Sequence, residues 1–341
     1  MKKFISEKSN LLLVILVLLL FCIMILSSTL GAADVSFIDA LKIITGLPSS
    51  NISDTHRIIV LKIRMPRIFL AALVGIGLSI VGGTFQGLFK NPLADPYVLG
   101  ISSGAGLGAT LAIIFSFEGA LLGFAFNSFC AFVGAILTAL LVFAIAKVGN
   151  KLSVSNMLLA GMSVSFLMSS IISILMILNR NQIEKIMFWL MGSVSTANWT
   201  QVLMAAVVIL SALVVIMFFS RELNIMSLGE ENALTLGVEA EKVKLILLIV
   251  SSIVVASCVS ISGIIGFVGL IIPNMVRILT GPDYKKLLPF SAVFGGMFLV
   301  FCDTMSRVLM PPMELPIGAV TALFGSPFFL YLIVKNKRNV I

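Results

Sequence analysis

The chain reads as an all-α polytopic membrane protein with about ten transmembrane helices, one short re-entrant or interfacial helix and one short cytoplasmic helix. Three observations lead there. Apolar runs of about 17 to 25 residues recur along nearly the whole length, which is what an α-helix needs to cross the hydrocarbon core. Charged residues make up only 11% of the 341 positions, against about 25% in a soluble domain, so there is too little polar surface to coat a globule. The 23 lysines and arginines fall singly or in pairs at the ends of the apolar runs. Those runs are continuous rather than alternating, which excludes a transmembrane β-barrel. No change of composition marks off a soluble unit, so one membrane domain over 1–341 is expected.

The first run, 11–30, follows Met1-Lys2-Lys3 and ends in small residues near 27–33, a pattern shared with signal peptides. Its apolar core is long for a cleaved leader, and removal would leave nine spans, so it is read as a retained helix. Within the outer loop 31–63, the stretch 36–47 (SFIDALKIITGL) has the amphipathic pattern of a surface helix. The second run, 68–88, is introduced by Arg64-Met65-Pro66-Arg67 and carries Gly75, Gly77, Gly82, Gly83 and Gly87. Such small residues let neighbouring helix backbones close in. This run stops at a turn holding Pro92 and Pro96.

The third run, 99–117, opens with Gly104, Gly106 and Gly108. No strand precedes them, so their spacing suits helix packing rather than a dinucleotide. Runs at 121–146 and 157–178 follow, joined by a turn containing Ser153-Val154-Ser155. Residues 182–192 (QIEKIMFWLMG) are apolar but too short to span, hence the re-entrant or interfacial helix. Trp189 and Trp199 belong near the membrane surface. Runs at 202–219, 245–259, 264–278, 289–309 and 317–334 complete the ten. Between two of them lies 221–244, where Ser227-Leu228-Gly229-Glu230 has capping-box spacing and Gly237 can close the helix that follows. With Leu228, Ala233, Leu234 and Leu236 exposed, this segment reads as a docking knob; on its residues alone an ordinary surface turn fits too.

An even number of spans puts both termini on one side. With the first residues cytoplasmic, fifteen lysines and arginines fall inside and eight outside, the bias that cytoplasmic flanks carry. The net charge of +8 is therefore read as topology, not as a nucleic-acid surface. Cys22, Cys130, Cys258 and Cys302 lack CxxC spacing and imply no disulfide or zinc framework. His56 is the sole histidine. No phosphate-cradling GxxxxGK[ST], HExxH or GxSxG is present, which leaves almost no candidate for enzymatic chemistry. The span centres carry essentially no ionisable residues, since Asp95, Asp303 and Glu314 fall near span ends. That lowers a proton- or sodium-driven secondary transporter, which stands as the alternative, beside a channel or a membrane scaffold. A pump built this way draws its energy from a partner.

The chain resembles the FecCD family, the permease subunits of iron-siderophore, haem and vitamin B12 ABC importers. The resemblance covers nearly the whole length: RMPR at 64–67, Gln86 with NPLADPYVLGISSGAGLG at 91–108, LLAG at 158–161, WLMGS at 189–193 and SLGEENALTLGV at 227–238. It continues through SGIIGFVGLIIPNMVR at 262–277, GPDYKKLLP at 281–289 and ELPIGAVTALFGSPFFLYLI at 314–333. One departure is Asn274, where IIPH is expected; its amide still offers hydrogen bonds.

The resemblance implies a bacterial cell-membrane permease with both termini cytoplasmic, paired with a second permease, identical or paralogous. Two ATPase subunits below would bind the ATP and magnesium, leaving no cofactor in this chain, and an extracytoplasmic binding protein would deliver the substrate. Arg64, Arg67 and Arg307 match outward arginines that meet carboxylates of that binding protein. From the residues alone, Arg64 and Arg67 suit lipid-headgroup anchoring equally well, and Asp303 with Arg307 has the spacing of a pair on one helix. Ser227, Leu228, Gly229, Glu230, Ala233, Leu236 and Gly237 match the loop that seats in an ATPase cleft. Ser153, Val154 and Ser155 match the cytoplasmic gate, with Val154 replacing a hydroxyl residue; a plain linking turn is the alternative.

Overall fold

The computed structural model describes residues 9–31, 33, 35–47, 52–115, 122–148 and 151–337. The outer-loop expectation therefore lies partly outside the described residues, as do both chain ends. Fourteen helices follow in order: α1 Ser9–Thr29, α2 Phe37–Thr45, α3 Asp54–Leu88, α4 Ile101–Ile114, α5 Leu122–Ala146, α6 Val154–Leu178 and α7 Ile183–Leu190. Then come α8 Trp199–Phe218, α9 Ser220–Ser227, α10 Glu230–Thr235, α11 Ala240–Ser262, α12 Val268–Thr280, α13 Tyr284–Val308 and α14 Ile317–Lys337. A two-residue-per-strand hairpin (β1 Lys147–Val148, β2 Lys151–Leu152) joins α5 to α6. Among the described residues seven helices are long and apolar enough to cross a membrane and three shorter stretches, Ile101–Ile114, Val268–Thr280 and Ile317–Tyr331, are apolar, together the ten runs read from the sequence.

α3 is the hub, packed against α13, α12, α8 and α11. Its glycines explain how. A methyl group at Gly75 would strike the Gly295 carbonyl of α13, one at Gly82 the Gly269 carbonyl of α12, and one at Gly87 the Tyr284 ring. The contacts are thus backbone on backbone, the packing that small residues permit in a bilayer. Gly104 and Gly108 do the same for α4 against α5, meeting the carbonyls of Gly134 and Cys130. The helix extends well beyond the apolar run, because Pro66 does not end it. Proline has no N–H to give and crowds the carbonyl four residues back. A wider π-helical turn, Ile59–Arg64, in which the Met65 N–H reaches Val60, makes the room.

Two expected spans are shorter than the sequence implied. α4 has 14 residues and α12 has 13, about 20 Å each at 1.5 Å per residue, against a hydrocarbon core of about 30 Å. Their lead-ins make up the difference. Segments 89–100 and 263–267 fold back and meet: the Tyr97 hydroxyl donates to the Ile265 carbonyl at 2.9 Å, and Pro96 packs on Gly269. Residues 94–100 and 263–267 are buried or half-buried in protein, where irregular backbone is tolerated, whereas 90–93 are exposed. α2 is the expected surface helix, capped by Ser36 accepting from the Asp39 N–H at 3.1 Å and closed by Gly46 at φ +71°. α7 is a short helix of 8 residues at the expected place, and its exit is bonded to α14 through Ile317 N–H to Gly192 O. Trp199 stands exposed at the head of α8 and donates Nε1–H to the Leu61 carbonyl at 3.0 Å.

Candidate functional site

α3 and α13 run antiparallel, so the site residues segregate to opposite ends of this pair. Arg67 lies 21 residues before the end of α3, about 32 Å along the axis. At its end of the pair sit Arg64, Arg67, Asp303, Arg307 and Glu314. At the other sit Tyr284, the loop 228–238 and the hairpin before α6.

The three arginine side chains are buried within the chain: Arg64, Arg67 and Arg307 are 5%, 4% and 6% exposed. At this position a guanidinium needs counter-charge or carbonyls, and the surrounding elements supply both. Arg67 donates from Nε to Asp303 Oδ1 at 2.7 Å and from Nη1 to both Glu314 oxygens at 2.9 and 2.8 Å. Arg307 faces Asp303 Oδ2 at 3.2 Å as an ion pair without hydrogen-bond alignment, the pairing that the four-residue spacing anticipated. It also donates to Leu30 O at 2.8 Å and Ser27 Oγ at 2.7 Å. Arg64 donates to the carbonyls of Ser28, Thr29 and Ala33 at 2.8, 3.1 and 2.6 Å, capping the C-terminal end of α1. Their burial removes the headgroup-anchor reading for Arg64 and Arg67. Asp303 is fully buried, whereas Glu314, on the short 309–316 connection, is 45% exposed. The role of Glu314 escaped the sequence reading, although it opens one of the resembling motifs.

At the opposite end, α9 and α10 form a compact elbow. The capping-box expectation is corrected. Ser227 ends α9 with its hydroxyl donating back to the Asn224 carbonyl at 2.6 Å, and Gly229, at φ +124°, precedes α10 without a side-chain cap. Gly229 is where the backbone leaves the helix, so the serine closes one helix instead of opening the next. Gly237 closes α10 as expected, at φ +77°, with Gly237 N–H to Leu234 O at 3.0 Å and Val238 N–H to Ala233 O at 2.9 Å. Leu228, Leu234 and Leu236 are exposed; Ala233 is buried, against expectation, because it packs inward beneath that turn. The Glu230 side chain lies outside the described residues. Asn224 fastens the elbow to the base of α13, donating to Asp283 Oδ1 at 2.7 Å and accepting from the Tyr284 N–H at 2.9 Å.

Ser153 caps α6 by accepting from the Asn156 N–H at 3.4 Å, with Val154 and Ser155 opening the helix. The preceding hairpin is tied to the first turn of α11, where Glu241 accepts from the Leu152 N–H at 3.1 Å and from Lys244 Nζ at 3.0 Å. Glu241 therefore links the gate candidates to the strand of chain leaving α10, a connection the sequence did not reveal. Nearby, Asn274 donates to Pro92 O at 2.7 Å and accepts from Arg277 at 3.0 Å, the hydrogen-bonding role foreseen for that departure. In the same 89–100 segment, Asp95 accepts from the Tyr97 N–H at 2.8 Å. Among the described residues no cluster of three His, Cys, Asp or Glu side chains is placed to hold a metal.

Known proteins share this fold. The cobalamin import system permease protein of Halobacterium salinarum is 43% identical over 85% of this chain and 77% of its own length. The hemin transport system permease protein of Yersinia pestis is 36% identical over 95% of both chains. A solved inward-facing ABC transporter of metal-chelate type superposes with a TM-score of 0.84 at 34% identity, covering 96% of this chain and 99% of its own. The FecCD transport family matches residues 16–335, and the chain belongs to that family.

Proposed function

We propose that this chain is the membrane permease subunit of an ATP-driven importer for a metal chelate such as an iron-siderophore, haem or a corrinoid. The observation that carries the reading is the pairing, on one rigid antiparallel helix pair, of a buried arginine–carboxylate cluster at one end with an exposed leucine elbow at the other. The arginine end faces out and receives the binding protein through Arg67, Arg64 and Arg307; the elbow from Ser227 to Gly237 seats in an ATPase. Both termini are cytoplasmic. Two ATPase subunits, which bind the ATP and magnesium, serve two permease subunits, and this chain performs no hydrolysis itself. α6 exposes Ser163, Ser169, Ser170 and Ser173 among its apolar residues, a face better suited to a second permease and a polar pathway than to lipid. Ser153, Val154 and Ser155 gate its cytoplasmic mouth.

Co-purification tests the assembly: the detergent-extracted chain should bring down an ATPase subunit, and Leu236→Asp should release it. Recovery of the chain alone under conditions that preserve its fold would refute the reading.

A further inference from the structure

Resting on the docking role just proposed for Arg67, we infer that Glu314 is an internal stand-in for the partner's carboxylate, and that docking proceeds by exchange at the Arg67 guanidinium.

The two carboxylates on Arg67 are held differently. Asp303 comes from inside α13, is fully buried and is shared with Arg307, so it cannot leave without stranding two charges. Glu314 comes from a surface connection, is 45% exposed, and hydrogen-bonds through its side chain only to Arg67 among the described residues. Its binding geometry is also inferior. Both Glu314 oxygens crowd onto Nη1, and Nη2 has no partner among the described residues. A carboxylate approaching along the guanidinium axis would take Nη1 and Nη2 together, the two-bond fork that arginine favours.

The surroundings suit a protein partner. Leu309, Met310 and Met313 stand exposed on the same connection, an apolar rim that would shield the exchanged pair from water once covered. The base of the connection is fixed: Leu315 N–H donates to Ser306 O at 3.1 Å, and the Ser306 hydroxyl returns a bond to Leu315 O. Glu314 can thus swing away without disturbing α13 or α14. In the undocked state it keeps Arg67 neutralised; in the docked state it becomes a free surface carboxylate. The exchange favours partners that offer a well-aligned carboxylate over those offering only diffuse negative charge.

The test titrates purified, substrate-free cognate binding protein onto the full transporter in nanodiscs at low and moderate salt. Glu314→Gln and Glu314→Ala should tighten docking by about three- to tenfold and speed phenylglyoxal labelling of Arg67, read by peptide mass spectrometry. Arg67→Gln should weaken docking tenfold or more. If Arg67→Gln weakens docking while both Glu314 variants leave it unchanged or weaker, the exchange idea is overturned and the docking role stands. If Arg67→Gln has no effect in a folded transporter, the docking role itself falls and takes the inference with it.

Discussion

Replacing Asp303 by Asn should be among the most damaging single substitutions in the chain. The carboxylate is fully buried and lies 2.7 Å from Arg67 and 3.2 Å from Arg307. At an effective dielectric near 20, each contact represents a gross attraction on the order of 5 to 6 kcal/mol. Desolvation offsets much of this in the native protein, but removal of one partner leaves the others buried and short of counter-charge, for an expected loss of ~3–5 kcal/mol. The cluster would keep three arginines against Glu314 alone. Glu314→Gln removes an equally close charge, yet that carboxylate is half in solvent, so its loss should cost only ~0.5–1 kcal/mol. Unfolding in mixed micelles titrated with SDS, followed by the fluorescence of Trp189 and Trp199, compares the two variants directly. Equal losses for both, or a loss below ~1 kcal/mol for Asp303→Asn, would refute the claim that Asp303 is the anchor of the cluster.

Gly82→Val should cost ~2–3 kcal/mol or prevent assembly, because its side chain meets the Gly269 backbone, whereas Gly266→Ala, with open space around it, should be near neutral in the same titration. Glu241→Ala should leave ATPase binding intact while loosening the hairpin before α6, read as higher ATP turnover per molecule transported.

The hydrophobic pattern made most of the architecture legible. Run length, glycine spacing and charge bias located all ten apolar helices, because a bilayer imposes one dominant constraint on each segment. The misplacements have local causes. α4 and α12 start two and four residues later than the runs 99–117 and 264–278 suggested, because the apolar residues just before each helix continue the run while folding irregularly. The extension of α3 to Asp54 was hidden by Pro66, whose usual effect is undone by a π turn that leaves no sequence mark. Among site residues, the Asp303–Arg307 pair followed from four-residue spacing on one helix. Arg67 with Glu314, 247 positions apart, and Leu152 with Glu241 depend on tertiary packing and carry no periodic signal. The misread cap at Ser227 shows the same limit at short range: the spacing was right, but the helix boundary fell on the other side of the serine.

The central claim is that transport through this chain is driven by a partner's ATP hydrolysis. Proteoliposomes holding the permease with its ATPase, loaded with ATP and supplied with substrate-charged binding protein, test it most directly. The account predicts uptake that requires ATP and the binding protein, persists when ion gradients are collapsed, and is lost in Leu236→Asp. Uptake that continues without ATP and stops when the proton or sodium gradient is abolished would contradict it.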